Sequence, residues 1–188
     1  MDYNIKMDIT LKEVDAFLKL CNLEKEPVIA FCKEQKNLTN AIIVACASVY
    51  NNKKHSHQKR IKSNILEDFG IKVTLIIKEI ENVKTFDNLL NLINNISLNG
   101  IGPLAKYDIA LRIGFYKKIY PSKIYLHAGT KKGTEILLRK KIKDKYISKE
   151  TLTKIYPNLE KLTCAELEVY LCVFPKKNNC TLINKICK

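Results

Sequence analysis

The stretch SLNGIGPLAKYDIALRIG, Ser97–Gly114, decides how this chain is read. Only 6 of the 188 residues are glycine, and two of them, Gly100 and Gly102, stand here with a single residue between them. The preceding segment, TFDNLLNLINNI at 85–96, has the apolar spacing of an amphipathic helix, and the following one, LAKYDIALRIGFYKKI at 104–119, continues as another. Glycines between two helices permit positive φ and let a phosphate approach the backbone. The second helix then opens with unpaired amide N–H groups and a partial positive charge, which together bind anions. Pro103 suits a first helical turn. Ile101 is placed to anchor the turn in the core, and Leu104 and Lys106 follow at its edge, Lys106 adding charge beside the phosphate.

The helical pattern extends outward in both directions. Thr10 and Glu13 form a capping box before LKEVDAFLKLC, and Thr163 and Glu166 another within TCAELEVYLCVF. Asn37 or Thr39 caps the apolar run TNAIIVACASVY, and Pro27 sits in the first turn of EPVIAFCKEQ. HQKRIKSNILEDF at 57–69 reads as a helix that stops at Gly70. IKVTLIIKEI at 71–80 fits strand by its β-branched content and helix by its spacing. PSKIYLH is a short extended piece, HAGT a turn, KKGTEILLRKKIKDK a basic helix, and the polar tail 176–188 an end that frays. The expected fold class is all-α: one compact helical domain over 1–188, with a helix–hairpin–helix element at about 86–119.

Charge points to a polyanionic partner. Lys and Arg number 33 against 19 acids, a net +14 with pI near 9.4. Between Leu104 and Lys145, twelve basic residues face only three acids, so this segment carries +9 of the total. A second run, KKHSHQKRIK at 53–62, contains no acid. The partner expected is DNA, with RNA as the alternative polyanion and a monomer as the binding species. The longest apolar run, AIIVACASVY, is too short to span a bilayer, so no membrane is expected. The opening residues lack a secretory pattern, and an odd count of seven Cys suits a reducing cytosol or the nucleoid. The last four Cys are spaced C-x7-C-x7-C-x6-C, without the close pair that zinc and iron–sulfur loops use. Neither a cofactor nor a metal is expected.

Three polar constellations carry candidate chemistry. His55, His57, Gln58 and Arg60 in HSHQKR offer donors and acceptors to a base edge or a phosphate. A metal on the two His needs a third ligand, His127, Asp108 or a distant Cys, which the spacing does not fix. Tyr107, Asp108 and Arg112 form the second group; Asp108 and Arg112 are spaced i, i+4 for a helical ion pair. A carboxylate there also suits a reaction in which positive charge develops on a sugar. In HAGTKKG, Thr130 suits a helix cap, while Gly129, Lys131 and Lys132 suit a second phosphate contact. The phosphate-binding pattern GxxxxGK[ST] is absent.

Gly-Ile-Gly between helices, followed by the basic helix, resembles the hairpin of base-excision DNA glycosylases. Two departures stand in the sequence: Lys106 occupies the position of that family's Ala, and PSKIYLHAGT, the segment comparable to their catalytic one, holds His127 but no Asp. The position of the lyase-type Lys falls on Leu104. HxHQxR, GIG…YDxAxRIG and YLHAGT are also similar to small bacterial proteins of unassigned function. The resemblance implies an enzyme that flips a modified or damaged base from duplex DNA and hydrolyses its N-glycosidic bond, in repair or in defence against modified phage DNA. Asp108 and His127 are its expected catalytic pair. Gly100, Ile101, Gly102, Leu104, Lys106, Arg112, Thr130, Lys131 and Lys132 are expected to bind the nucleic acid, and His55, His57, Gln58, Arg60 and Tyr107 to recognise the base or phosphate. The alternatives are a non-catalytic DNA- or RNA-binding module and a helical protein–protein interaction domain.

Overall fold

The computed structural model describes residues 8–174. Among them are ten α-helices and two small two-stranded sheets, a mostly-α architecture. In chain order the helices are α1 (Leu11–Leu20), α2 (Pro27–Lys33), α3 (Leu38–Ala47), α4 (Ser63–Leu75), α5 (Ile77–Asn82), α6 (Phe86–Asn95), α7 (Pro103–Lys117), α8 (Ala128–Leu138), α9 (Lys149–Thr153) and α10 (Cys164–Val173). The strands β1 (Val49–Tyr50) and β2 (Lys53–Lys54) pair antiparallel, as do β3 (Ile124–Tyr125) and β4 (Tyr146–Ile147). No helix among the described residues is long and apolar enough to cross a membrane. The expected frayed tail lies outside the described residues.

The chain divides into two compact units: Met1–Asn22 together with Ser122–Lys188, and Leu23–Pro121. In the first, α8 packs along α10, and the core gathers Val14 and Phe17 of α1, Ile124 of β3, Leu152 of α9, and Leu167, Tyr170 and Leu171 of α10. Both expected capping boxes are formed, Thr10 with Glu13 and Thr163 with Glu166. Asn158 donates to the Ile9 carbonyl at 2.8 Å and Lys161 pairs with Asp15, so the residues before the second unit are tied to those after it.

In the second unit α7 is the axis. Ten of its residues are buried, from Ala105 to Phe115, and α2, α3 and α6 pack around it. A helix covered on every side shows no one-sided apolar stripe. Its polar residues therefore lie inside the unit: Asp108 is 9 % exposed and Arg112 3 %.

Two local expectations are corrected and one open alternative is resolved. The helix predicted over 57–69 begins only at Ser63 and runs through Gly70 to Leu75; Gly70 does not end it but lies against Cys46 of α3. Residues Ser56–Gln58 instead form a 3-10 turn. The ambiguous 71–80 segment is helical, its β-branched residues overridden by burial of Val73 and Ile80. AGT of HAGT begins α8, with His127 at the N-cap position, while Thr130 lies within the helix, its hydroxyl donating to the Glu168 carbonyl of α10 at 3.2 Å.

Candidate functional site

The site grows from a short run between α3 and α4. α3 ends at Ser48, in the left-handed region, and Asn51 and Asn52, both at positive φ, turn β1 back as β2. Such a two-residue turn matches the twist of paired strands. The His55 N–H closes the loop onto the Ser48 carbonyl at 2.8 Å. The 3-10 turn that follows sets the His55 and His57 rings edge to face, with centroids 5.0 Å apart, above the side of α7 that carries Asp108 and Arg112.

Gln58 is the hub. It is fully buried; its amide N–H donates to Asp108 Oδ2 at 2.7 Å and its amide oxygen accepts from Arg112 at 3.2 Å. Arg112 also donates to the Ser48 hydroxyl at 2.6 Å and to the Ala45 carbonyl at 3.1 Å. The i, i+4 pair expected on α7 is thus joined through Gln58. Because Arg112 makes the Gln58 oxygen an acceptor, His55 Nδ1, 3.0 Å away, carries the hydrogen they share. The His57 amide lies 3.4 Å from that same nitrogen, too long to compete. His57 Nδ1 donates to Asp108 Oδ2 at 3.0 Å, and Glu26, the N-cap of α2, faces His55 Nε2 at 3.9 Å.

These contacts set the charges. Burial pushes the Asp108 carboxyl up, but the His57 bond, the Arg112 guanidinium and the Gln58 amide outweigh it and hold it below the usual range. The bond to Asp108 raises the His57 imidazole above 6.5, against the cost of burial. Burial and Arg112 lower His55 below 6.5, against the pull of Asp108 and Glu26. A raised imidazole stabilises the fold below its unfolded pKa of 6.5, and that contribution is lost as pH rises through the folded value. A lowered one acts oppositely: His55 costs stability as pH falls from 6.5 through its folded value. The ring signals of the two His in an NMR titration are accordingly expected to bracket 6.5, with His57 above and His55 below. Asp108→Asn is expected to bring the His57 midpoint down; a midpoint that stays put removes the ion pair from the account.

The structure sorts the remaining expected residues. Gly100 has φ +91, a conformation that glycine alone adopts freely, and a Cβ there would press on Ile65. Ile101 is buried as anticipated. Gly102 is the N-cap of α7, exposed, with open space where a Cβ would point and no side chain capping the helix. Leu104 is half-buried beside it. Lys106 donates to the Asn94 carbonyl at 2.9 Å, bracing the end of α6. Arg60 is exposed. Tyr107, 1 % exposed and edge-on to Phe86, is packed in the core. Gln58 and Arg112 are buried too, Gln58 bonded to Asp108 and Arg112 to Gln58.

Thr130 and Gly129 are turned toward α10, while Lys132 is exposed beside a hollow of about 370 Å3 shared with Glu135, Arg139, Lys140 and Lys141; Lys131 is half-buried. His127 belongs to the first unit, and the groups around Asp108 all come from the second. Of the four C-terminal Cys, Cys180 and Cys187 lie outside the described residues. Cys32 and Cys46 are core residues, their thiols pushed up to about 12 by burial. Sequence reading missed Ser48 and Glu26: a serine after an apolar helix and a glutamate before a proline carry no signal of a site. Compared with models of known protein families, with curated proteins and with solved structures, the chain matches none.

Proposed function

We propose that this chain binds DNA through the Gly-Ile-Gly turn and excises a base, hydrolysing the N-glycosidic bond at Asp108 and His57. The observation that carries this reading is the place of the turn and of Asp108 on one helix, α7. The uncapped N-terminus of that helix is open to a phosphate, and Asp108 lies six residues along the same axis, about 9 Å at 1.5 Å per residue. A phosphate held at one point and a sugar at the other are separated by a distance of that order.

The chemistry follows from the hydrogen bonds. Asp108 holds the Nδ1–H tautomer of His57, leaving Nε2 of a ring whose side chain is 45 % exposed to take a proton from water. The water-activating role expected of His127 falls to His57. The Asp108 carboxylate, kept ionised by its neighbours, places negative charge where an oxocarbenium-like sugar develops positive charge.

Duplexes carrying a panel of modified bases test this by alkali-revealed abasic sites. Base release is expected to fall at least about a hundredfold in Asp108→Asn and in His57→Ala, in line with loss of acid–base catalysis, with DNA binding retained. The second reading, a non-catalytic DNA-binding module, draws on the fully buried Gln58, whose bonds make the cluster serve packing as well. It predicts salt-dependent binding without base release. Binding insensitive to salt overturns both.

A further inference from the structure

We infer that His55, His57 and Asp108 form a binding site for a divalent transition-metal ion of the zinc, cobalt or iron(II) kind, held by two imidazoles and one carboxylate. One potential donor atom of each residue lies within 4.8 Å of the other two. Donors about 2.0–2.2 Å from a shared ion stand roughly 3–4 Å apart. His57 Nδ1 and Asp108 Oδ2, at 3.0 Å, already do, and the ion takes the place of the proton between them. Closing the third donor asks for a movement under about 1 Å. It falls on His55, the residue that opens the 3-10 turn.

The surroundings are those of a supported ligand set. Gln58, fully buried, bonds two of the three ligands at once, Asp108 through its N–H and His55 through its oxygen, and Arg112 locks the amide in that orientation. Hydrogen bonds of this kind orient metal ligands and are nearly as decisive as the ligands themselves. The Arg112 charge opposes a cation, and two carboxylates offset it: Asp108 in the set and Glu26 facing His55 at 3.9 Å. Two nitrogens and one oxygen select against magnesium and calcium, which take oxygen donors. Three protein ligands with a solvent-facing side leave room for water or substrate on the ion. Metal binding here does not depend on the DNA reading, since it is measured without nucleic acid.

The test uses the full 188-residue chain, stripped with a chelator and titrated with cobalt(II) and, in parallel, zinc(II) by calorimetry. One equivalent is expected to bind, with visible cobalt bands of a nitrogen–oxygen site. His57→Ala, at an exposed ring and so compatible with folding, is expected to weaken binding by more than the roughly ten- to hundredfold that loss of an outer hydrogen-bond partner costs. Asp108→Asn is expected to do the same, with circular dichroism confirming that it remains folded. Affinity unchanged in a folded His57→Ala chain, absence of a one-equivalent site, or a near-ultraviolet thiolate-to-cobalt band overturns the inference. Metal bound without base release keeps this site and removes the excision reading; base release from a stripped chain that binds no metal does the reverse.

Discussion

Arg112→Met is expected to destabilise the Leu23–Pro121 unit by about 3–5 kcal/mol, the range for removing one partner of a buried charge network. Methionine fills much of the same space, so the loss comes from the contacts. Arg112 reaches three acceptors on two segments: the Ala45 carbonyl and the Ser48 hydroxyl at the end of α3, and the Gln58 amide oxygen in the 3-10 turn. Without it, the buried Asp108 carboxylate also loses one of the charges that hold it ionised. Arg112→Lys is expected to recover little, because a single ammonium cannot serve a fork of partners reached by two guanidinium nitrogens. Thermal unfolding followed by circular dichroism measures both. A midpoint for Arg112→Met within a degree or two of the parent contradicts the network as the support of the site.

Gly133→Ala is expected to be equally damaging, for a steric reason and in the other unit. An added Cβ at Gly133 meets the Leu171 carbonyl oxygen, and one at Gly129 meets Cys172 Sγ at 2.5 Å. α8 lies so close on α10 that backbone fills the place of a side chain, and backbone cannot swing aside. Overpacking of this kind costs about 3 kcal/mol or more when nothing can yield. Gly102→Ala is the control: its Cβ meets open space, and a change of this kind at a helix cap costs about 1 kcal/mol or less. Equal melting of the two variants would show that the α8–α10 contact is looser than the structure describes.

The sequence reveals structure wherever the relevant residues are neighbours. Thr10 with Glu13 and Thr163 with Glu166 are read correctly, and Asn37, one of the two caps offered for α3, is the one formed, because a cap involves residues three apart. The buried Ile101 between its glycines is equally legible. Where the partner is distant, the reading fails in characteristic ways. Tyr107 and Arg112 look like surface residues of a basic helix, yet α7 is wrapped by three others, a property of the whole unit. Thr130 looks like a cap because nothing local says that Glu168 will accept its hydrogen bond. Asp108 and His57 are each recognisable as reactive types, but their pairing spans fifty-one positions and depends on a 3-10 turn where periodicity predicts helix. VYNNKK, whose two asparagines turn β1 into β2 and so aim His55, passes unnoticed among polar residues.

The order of the units along the chain has a consequence for biosynthesis. Ile9 and α1 find their partners, Asn158 and Lys161, only beyond the whole Leu23–Pro121 unit. A ribosome adds about 5–20 residues per second, so the apolar face of α1 waits on the order of ten seconds for the helices that cover it. The inserted unit, continuous in sequence, is free to fold in that interval. The emerging chain thus completes its Asp108 cluster before it completes the unit that begins it, with Val14 and Phe17 exposed to chaperones meanwhile.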